Sequence, residues 1–250
     1  MTLHLTLDVE SRLHLCRMAP APFDAKEVER QVEGWLRFLD DHRAGATFFI
    51  LGEVADAAPG IVRSVLAAGH EVASHGHQHR PVHRLTRDEF REDLGRSKKV
   101  LEDAGGIEVK GYRSPAWTLG LAPDGHYAMV EEAGYRYSSS LLPATGFIQR
   151  TGAGGFPEFP PCVGRVGPLG FPLGTSWTGR MVPAILLERH LEKPGLHVLV
   201  AHAHELTPCL ADDLGWGSSF IRYAALETYR DRLGDLLRSR SSIPLHSLLS

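Results

Sequence analysis

Thr47-Phe48-Phe49-Ile50-Leu51 is an apolar run opened by Gly45-Ala46. Hydrophobicity that is continuous rather than alternating marks a strand covered on both faces, the habit of parallel sheets packed by helices on their faces. The flanking sequence agrees with that reading. Upstream, residues 24–42 place Val28, Val32, Trp35, Leu36 and Leu39 on one helical face, with Asp24 as the N-cap. Before that helix, Leu3, Leu5 and Leu7 alternate with His4 and Thr6 in a strand that runs into Asp8-Val9-Glu10. Downstream, Pro59-Gly60 opens a helix over Ile61 to Ala68, Gly69 closes it, and His70 to Ala73 form a short strand. Strand, helix, strand, helix, strand implies a parallel β/α architecture.

The rest of the chain keeps the pattern at first. Thr86-Arg87-Asp88-Glu89 reads as a capping box for a helix reaching about Asp103, ended by Gly105-Gly106. Ile107 to Tyr112 is the next strand and terminates in Arg113-Ser114-Pro115-Ala116-Trp117. A helix from Pro123 to Ala133 and Gly134 lead to the strand Tyr135 to Tyr137 and then to Ser138-Ser139-Ser140. Residues 141–179 are dense in Gly and Pro and read as long loops with a single strand at Leu169 to Leu173. A helix over residues 180–192 and a strand from Leu196 to Ala201 follow, the strand ending in His202-Ala203-His204-Glu205. A last helix from Ser219 to Arg238 and a final strand from Ile243 to Leu249 complete the reading. With no repeat and no compositional break, residues 1–250 are expected to form one domain.

Composition narrows the partners. A net charge of -3 argues against a nucleic-acid or anionic-membrane partner held by bulk electrostatics. No stretch approaches the roughly 20 apolar residues of a membrane span. Cys16, Cys162 and Cys209 show no CxxC spacing and read as reduced thiols. Met1 to Asp8 lack the basic start and apolar run of a signal peptide, so the expected location is the cytoplasm. Composition does not indicate an oligomeric state.

The 14 histidines are the unusual count, and several fall at strand ends. Ser74-His75-Gly76-His77-Gln78-His79 sets His75 and His79 four apart, a spacing that puts two imidazoles on one side of a helical turn. Asp8 and Glu10 are two apart in extended chain and therefore face one side, either into a common pocket or as a solvated acidic turn. Other strand ends deliver Arg113, Ser138 to Ser140, and His202 with His204. The C-terminal ends of barrel strands are where such folds place chemistry.

Seven stretches, in order, cover most of residues 2–206: LTLDVE, ATFFILGEVA, GHEVASHGHQH, LTRDEFREDLGRSKKVLE, GYRSPAW, EEAGYRYSSSL and HVLVAHAHEL. Together they resemble the polysaccharide deacetylase (NodB-homology, carbohydrate esterase family 4) superfamily, in particular the branch whose first motif reads Asp-Val-Glu-Asp. The resemblance implies an α/β fold, a distorted (β/α) barrel of about seven parallel strands. It implies a metal-dependent hydrolase that removes an N-acetyl or small N-acyl group from an amino-sugar substrate. Asp8 matches the catalytic base, Arg113 its partner, His202 the general acid, and His75 and His79 the metal histidines. Glu10 takes the place of the third ligand. The implied cofactor is a divalent metal, zinc first, with cobalt, nickel or manganese as alternatives. The implied partner is an N-acylated sugar or glycan precursor. The N–H after Arg113, or one close by, is a candidate oxyanion donor. Trp117, Trp177, Tyr112 and His204 are candidate substrate contacts.

Several positions depart from the family pattern. Val9 follows the base where most members have a second aspartate, and Ser138 stands where an aspartate supports the acid histidine. Glu205 is a candidate replacement. Strand alternation puts His202 and His204 on one face, and alignment selects His202 as the acid. His77 and His83 read as exposed loop residues. Two other readings stay open: an amidohydrolase acting on a cyclic amide, imide or acylpolyamine, and a non-catalytic glycan-binding relative.

Overall fold

The computed structural model describes residues 1–11, 14, 23–123, 125–141, 155–166, 169–207 and 226–249. The strands are β1 (Thr2–Val9), β2 (Ala46–Ile50), β3 (Glu71–Ser74), β4 (Gly111–Tyr112), β5 (Tyr137–Ser138), β6 (Val163–Val166), β7 (Leu169–Pro172), β8 (Val198–His202) and β9 (Ser241–Ser242). Between them run α1 (Ala25–Asp41), α2 (Gly52–Ala57), α3 (Pro59–Ala67), α4 (Arg87–Gly105), α5 (His126–Glu132), α6 (Ser176–Met181), α7 (Ala184–Leu191) and α8 (Leu226–Ser239).

The main sheet has seven strands in the order β5-β4-β3-β2-β1-β8, with β9 also paired to β1. Every pairing in it is parallel, and the sheet curls into a distorted half-barrel flanked by helices. Register aligns the strand ends. Asp8 pairs with Phe49 on one side and His202 on the other, Ile50 with Ser74, Ser74 with Tyr112, and Tyr112 with Ser138. Asp8, His75, Arg113, Ser139 and His202 therefore arrive at one rim.

Alternation in β2 separates two cores. Phe48 and Ile50 join a large cluster with Trp35, Phe38, Leu39 and Val62 of the helices, whereas Phe49 packs with Ala73, Tyr137, Val198, Val200 and Leu245. Below Phe49 sits the buried Glu71 carboxylate. It accepts hydrogen bonds from Thr47 Oγ1 (2.7 Å), the Tyr137 hydroxyl (2.9 Å) and the His246 amide (3.0 Å), so this buried charge is well satisfied.

Local signals placed the helices well. Asp24 caps α1 by accepting from the Lys26 amide, and Thr86 with Glu89 forms the capping box of α4. Gly106, at φ 65°, closes α4 in the left-handed conformation that glycine tolerates.

The structure corrects the sequence reading in five places. An additional helix, α2, follows β2 directly. The strands expected over Ile107 to Tyr112 and Tyr135 to Tyr137 shrink to the two-residue β4 and β5. β6 joins β7 in an antiparallel pair. The helix expected over residues 180–192 is two helices, because Pro183 has no N–H to continue the ladder. The final strand is the brief β9, and Leu245–Leu249 form a 3₁₀ turn whose Leu245 enters the inner core.

Candidate active site

The turn after β3 carries His75 and His79 without forming a helix. His75 N–H donates to the Ile50 carbonyl at 3.0 Å, continuing the β2 ladder. Gly76 (φ 75°) and His79 (φ 52°) both lie in the left-handed region, so the chain doubles back and the imidazoles converge by a compact loop. The start of α2 clamps that loop: Gly52 N–H donates to the Gly76 carbonyl at 2.9 Å and Glu53 N–H to the His77 carbonyl at 3.1 Å. His77 is buried, contrary to the exposed position expected for it. Its N–H donates to Asp93 Oδ2 at 3.0 Å, and its ring lies between α2 and α4. His83 is exposed as expected.

The rim groups converge tightly. His79 Nε2 is 2.6 Å from Glu10 Oε2, and His75 Nε2 is 3.9 Å from both Glu10 Oε2 and Asp8 Oδ2. His202 Nε2 is 3.5 Å from Glu10 Oε1. His75 Nδ1 donates to the Arg113 carbonyl at 3.0 Å, which fixes the tautomer and leaves a lone pair on Nε2. Among the described residues, no hydroxyl or backbone amide donates to either Glu10 oxygen, although the side chain is buried. One carboxylate and two imidazoles with ligand atoms within 4.8 Å of one another make a donor set that fits a divalent cation.

Electrostatics follows from this packing. Burial alone would raise the Glu10 carboxyl, but the charge and hydrogen bond of His79, then His202 and His75, hold it well below its ordinary value. Burial pushes His75 down to about 4 against the opposing pull of Asp8 and Glu10, so its ring is neutral and able to coordinate. Burial also disfavours charge on His79, yet Glu10 outweighs it and raises that pKa.

Arg113 is buried and fully engaged. Nη1 donates to Asp8 Oδ1 at 2.7 Å, Nη2 to Ser139 Oγ at 2.8 Å and Nε to the Ser139 carbonyl at 3.1 Å. Its guanidinium is sandwiched over Phe49 (4.0 Å) and Trp117 (4.8 Å). Trp117, a half-buried residue at φ 59°, thus packs on Arg113.

Three expectations change here. Tyr112 is not at the pocket wall: it is wholly buried, its ring against Phe90 and Tyr135 on the helix side. The Ser114 N–H, expected to face an oxyanion, donates to Ser140 Oγ at 2.9 Å. Strand alternation does not govern His204, because the chain turns into a 3₁₀ helix at Ala203 and buries that ring beside His202. The Trp177 side chain lies outside the described residues, as do Cys16 and Cys209.

Two carboxylates lie close to the departures from the motif pattern. Glu205 Oε2 accepts from the His202 amide at 2.9 Å, holding the backbone of that residue. Next to Ser138 lies Glu158, in a bridge with that residue and accepting from the amides of Ser140 (2.6 Å) and Leu141 (3.0 Å). Burial raises its pKa. Sequence reasoning missed Glu158, which sits in the Gly/Pro-rich segment with no motif around it. It also missed His14, whose Nδ1 accepts from the Ser11 amide (3.1 Å) and whose Nε2–H meets Glu53 Oε1 at 2.7 Å. Its ring is 6.3 Å from that of His79.

Residues 18–138 match the family model described as polysaccharide deacetylase. A peptidoglycan-N-acetylglucosamine deacetylase of Bacillus cereus is 32% identical over 77 residues, which is 31% of this chain and 28% of that protein. A chitooligosaccharide deacetylase of Bradyrhizobium sp. is 31% identical over 85 residues, 34% of this chain and 36% of that one. The chain therefore aligns with about a third of the length of these curated relatives. A Mycobacterium smegmatis crystal structure, solved as a candidate polysaccharide deacetylase, superposes with a TM-score of 0.65 at 22% identity. It covers 99% of this chain and 88% of its own, a likeness of fold.

Proposed function

We propose that this chain, whose residues 18–138 match the polysaccharide deacetylase family model, hydrolyses the N-acetyl amide of an amino-sugar substrate. One observation carries the reading: Asp8, held by Arg113, and His202 flank the Glu10, His75 and His79 donor set at a single rim.

Glu10, His75 and His79 would hold the divalent cation, zinc in the first instance. When bound, such a cation polarises the amide carbonyl and lowers the pKa of water. The chain's own residues handle the protons. Arg113 occupies Asp8 Oδ1, which leaves Oδ2 to take a proton from water as the water oxygen adds to the carbonyl carbon. His202, half-buried where the His75 and His79 rings are enclosed, delivers a proton from Nε2 to the amine nitrogen. The carbon–nitrogen bond then breaks, yielding acetate and the free amino sugar. Because Ser139 and the Phe49–Trp117 sandwich immobilise Arg113, Asp8 is oriented before substrate arrives.

The test is acetate release from N-acetylglucosamine derivatives, from monosaccharide to chitooligosaccharide, by protein loaded with Zn²⁺ or Co²⁺. Asp8→Asn and His202→Ala are expected to lower turnover by at least 100-fold. Full activity in Asp8→Asn, or no release from any of these substrates, would sink the assignment. A preference for monosaccharide over oligomer would support a small precursor as the substrate.

A further inference from the structure

At the other end of the sheet, Cys162, His190 and His197 bring a sulfur and two imidazole nitrogens within 4.8 Å of one another. The three come from separate parts of the chain: Cys162 precedes β6, His190 lies in the last turn of α7, and His197 precedes β8. Cys162 is pinned by its backbone, donating to the Val198 carbonyl at 2.9 Å and accepting from the Gly174 amide at 3.0 Å. His197 Nε2 lies 2.9 Å from the Lys193 carbonyl, which can only accept, so the proton is on Nε2 and the lone pair on Nδ1. That Nδ1 is buried and, among the described residues, has no hydrogen-bond partner, in a residue only 5% exposed. Buried polar atoms are normally satisfied, so an imidazole acceptor left open beside a thiol and a second imidazole points to a missing partner.

We propose that Cys162, His190 and His197 form a second cation site, structural in role, that takes a borderline-soft divalent ion such as zinc with water completing the tetrahedron. The donor sets of the two sites differ. Glu10, His75 and His79 offer oxygen and nitrogen, whereas this set includes a sulfur, which selects zinc over magnesium, calcium or manganese. Binding exchanges the Cys162 S–H bond for a sulfur–metal bond and sends the proton to solvent, with no change of oxidation state. Position argues for structure rather than chemistry. His197 precedes β8 and His202 ends it, so these two residues are roughly 17 Å apart along one strand, one at each end of the sheet. The end of a barrel strand opposite the catalytic rim is where side chains act on stability. An ion there would tie α7 and the approach to β6 onto β8.

Cobalt distinguishes the two sites, because a thiolate–Co²⁺ charge-transfer band in the near ultraviolet requires a sulfur ligand and, among the described residues, the rim offers none. The experiment strips the full chain with a chelator and titrates it with Co²⁺. The expected result is two ions per chain and a thiolate band. Cys162→Ser should lose the band and one equivalent, while Glu10→Gln should lose one equivalent and keep the band. His190→Gln, at a half-buried position that disturbs folding less, should weaken Co²⁺ binding at the sulfur site at least tenfold. No band in the wild-type protein, or an undiminished band in Cys162→Ser, overturns the proposal. One bound ion with the band present upholds it and counts instead against the metal reading of the rim.

Discussion

Arg113 Nη1 reaches Asp8 Oδ1 at 2.7 Å with both side chains removed from solvent, one from the end of β4 and one from β1. Breaking a buried pair by deleting one member leaves the other charge stranded, at a cost of about 3–5 kcal/mol. Arg113→Ala is therefore expected to lower the urea unfolding free energy by that amount. Arg113→Lys, which keeps a charge but cannot reach Asp8 and Ser139 together, should fall between the two. A loss below about 1 kcal/mol for Arg113→Ala would show the pair to be dispensable.

Metal occupancy should appear as stability. A ligand at 100 times its dissociation constant stabilises the native state by about 2.7 kcal/mol per site. Adding Zn²⁺ to stripped protein should raise the thermal midpoint, and His79→Ala should lose the share due to the rim. The measurement is a thermal melt across a Zn²⁺ series. An increment identical in His79→Ala and wild type would separate the stabilisation from this histidine.

Gly52 is the tight point behind the histidine loop. A Cβ there would meet His77 Nδ1 and the α4 backbone at Ser97 Cα, 3.2 Å away. Gly52→Ala must therefore displace the ring of His77 and loosen the hydrogen bonds that hold the Gly76 and His77 carbonyls. Overpacking of this kind costs about 1–3 kcal/mol. Because His75 and His79 hang on the same loop, metal affinity should drop alongside stability. Calorimetric Zn²⁺ titration of the folded variant reads the second effect directly.

Asp93 gives a pH signature. Burial raises its pKa to about 6, against the hydrogen bonds from the amides of His77 and Gln78. The unfolded carboxyl titrates near the ordinary aspartate value of 3.8, so between these values the folded state binds more protons. This group's contribution is fully present below the unfolded value and is lost as pH rises through about 6. The change from pH 4 to pH 7 is on the order of 3 kcal/mol. Asp93→Asn keeps an acceptor for both amides and cannot ionise, so its stability relative to wild type should rise across that interval. Denaturant midpoints at the two pH values check it, and parallel curves would contradict it.

The parallel β/α order was readable because it rests on local signals, namely the Asp24 cap, the Thr86 box and the apolar run at Thr47 to Leu51. Asp8, Arg113, His75, His79 and His202 were readable as a group because each sits at or just past a strand's C-terminal end, and in-register strands make those ends neighbours. What escaped depends on distant partners. His77 is buried because α2 and α4 close over it, and Tyr112 faces Phe90 because β4 is a two-residue strand whose side-chain direction a longer strand could not predict. Glu158 reaches Ser138 only through the bridge between their segments. Pro183 was a local signal that should have split the helix over residues 180–192.

The pairing of β1 with β8 also bears on synthesis. Leu5 aligns with Leu199, and Asp8 with His202. Ribosomes add about 5–20 residues per second, so β1 waits on the order of 10–40 seconds for that neighbour. During the wait, one edge of an apolar strand is unpaired, while β2 can already dock on the other. Hydrogen-bonding groups on that open edge are a template for wrong partners. The nascent chain is therefore most vulnerable through its first strand, and the site matures only when one of its last strands arrives.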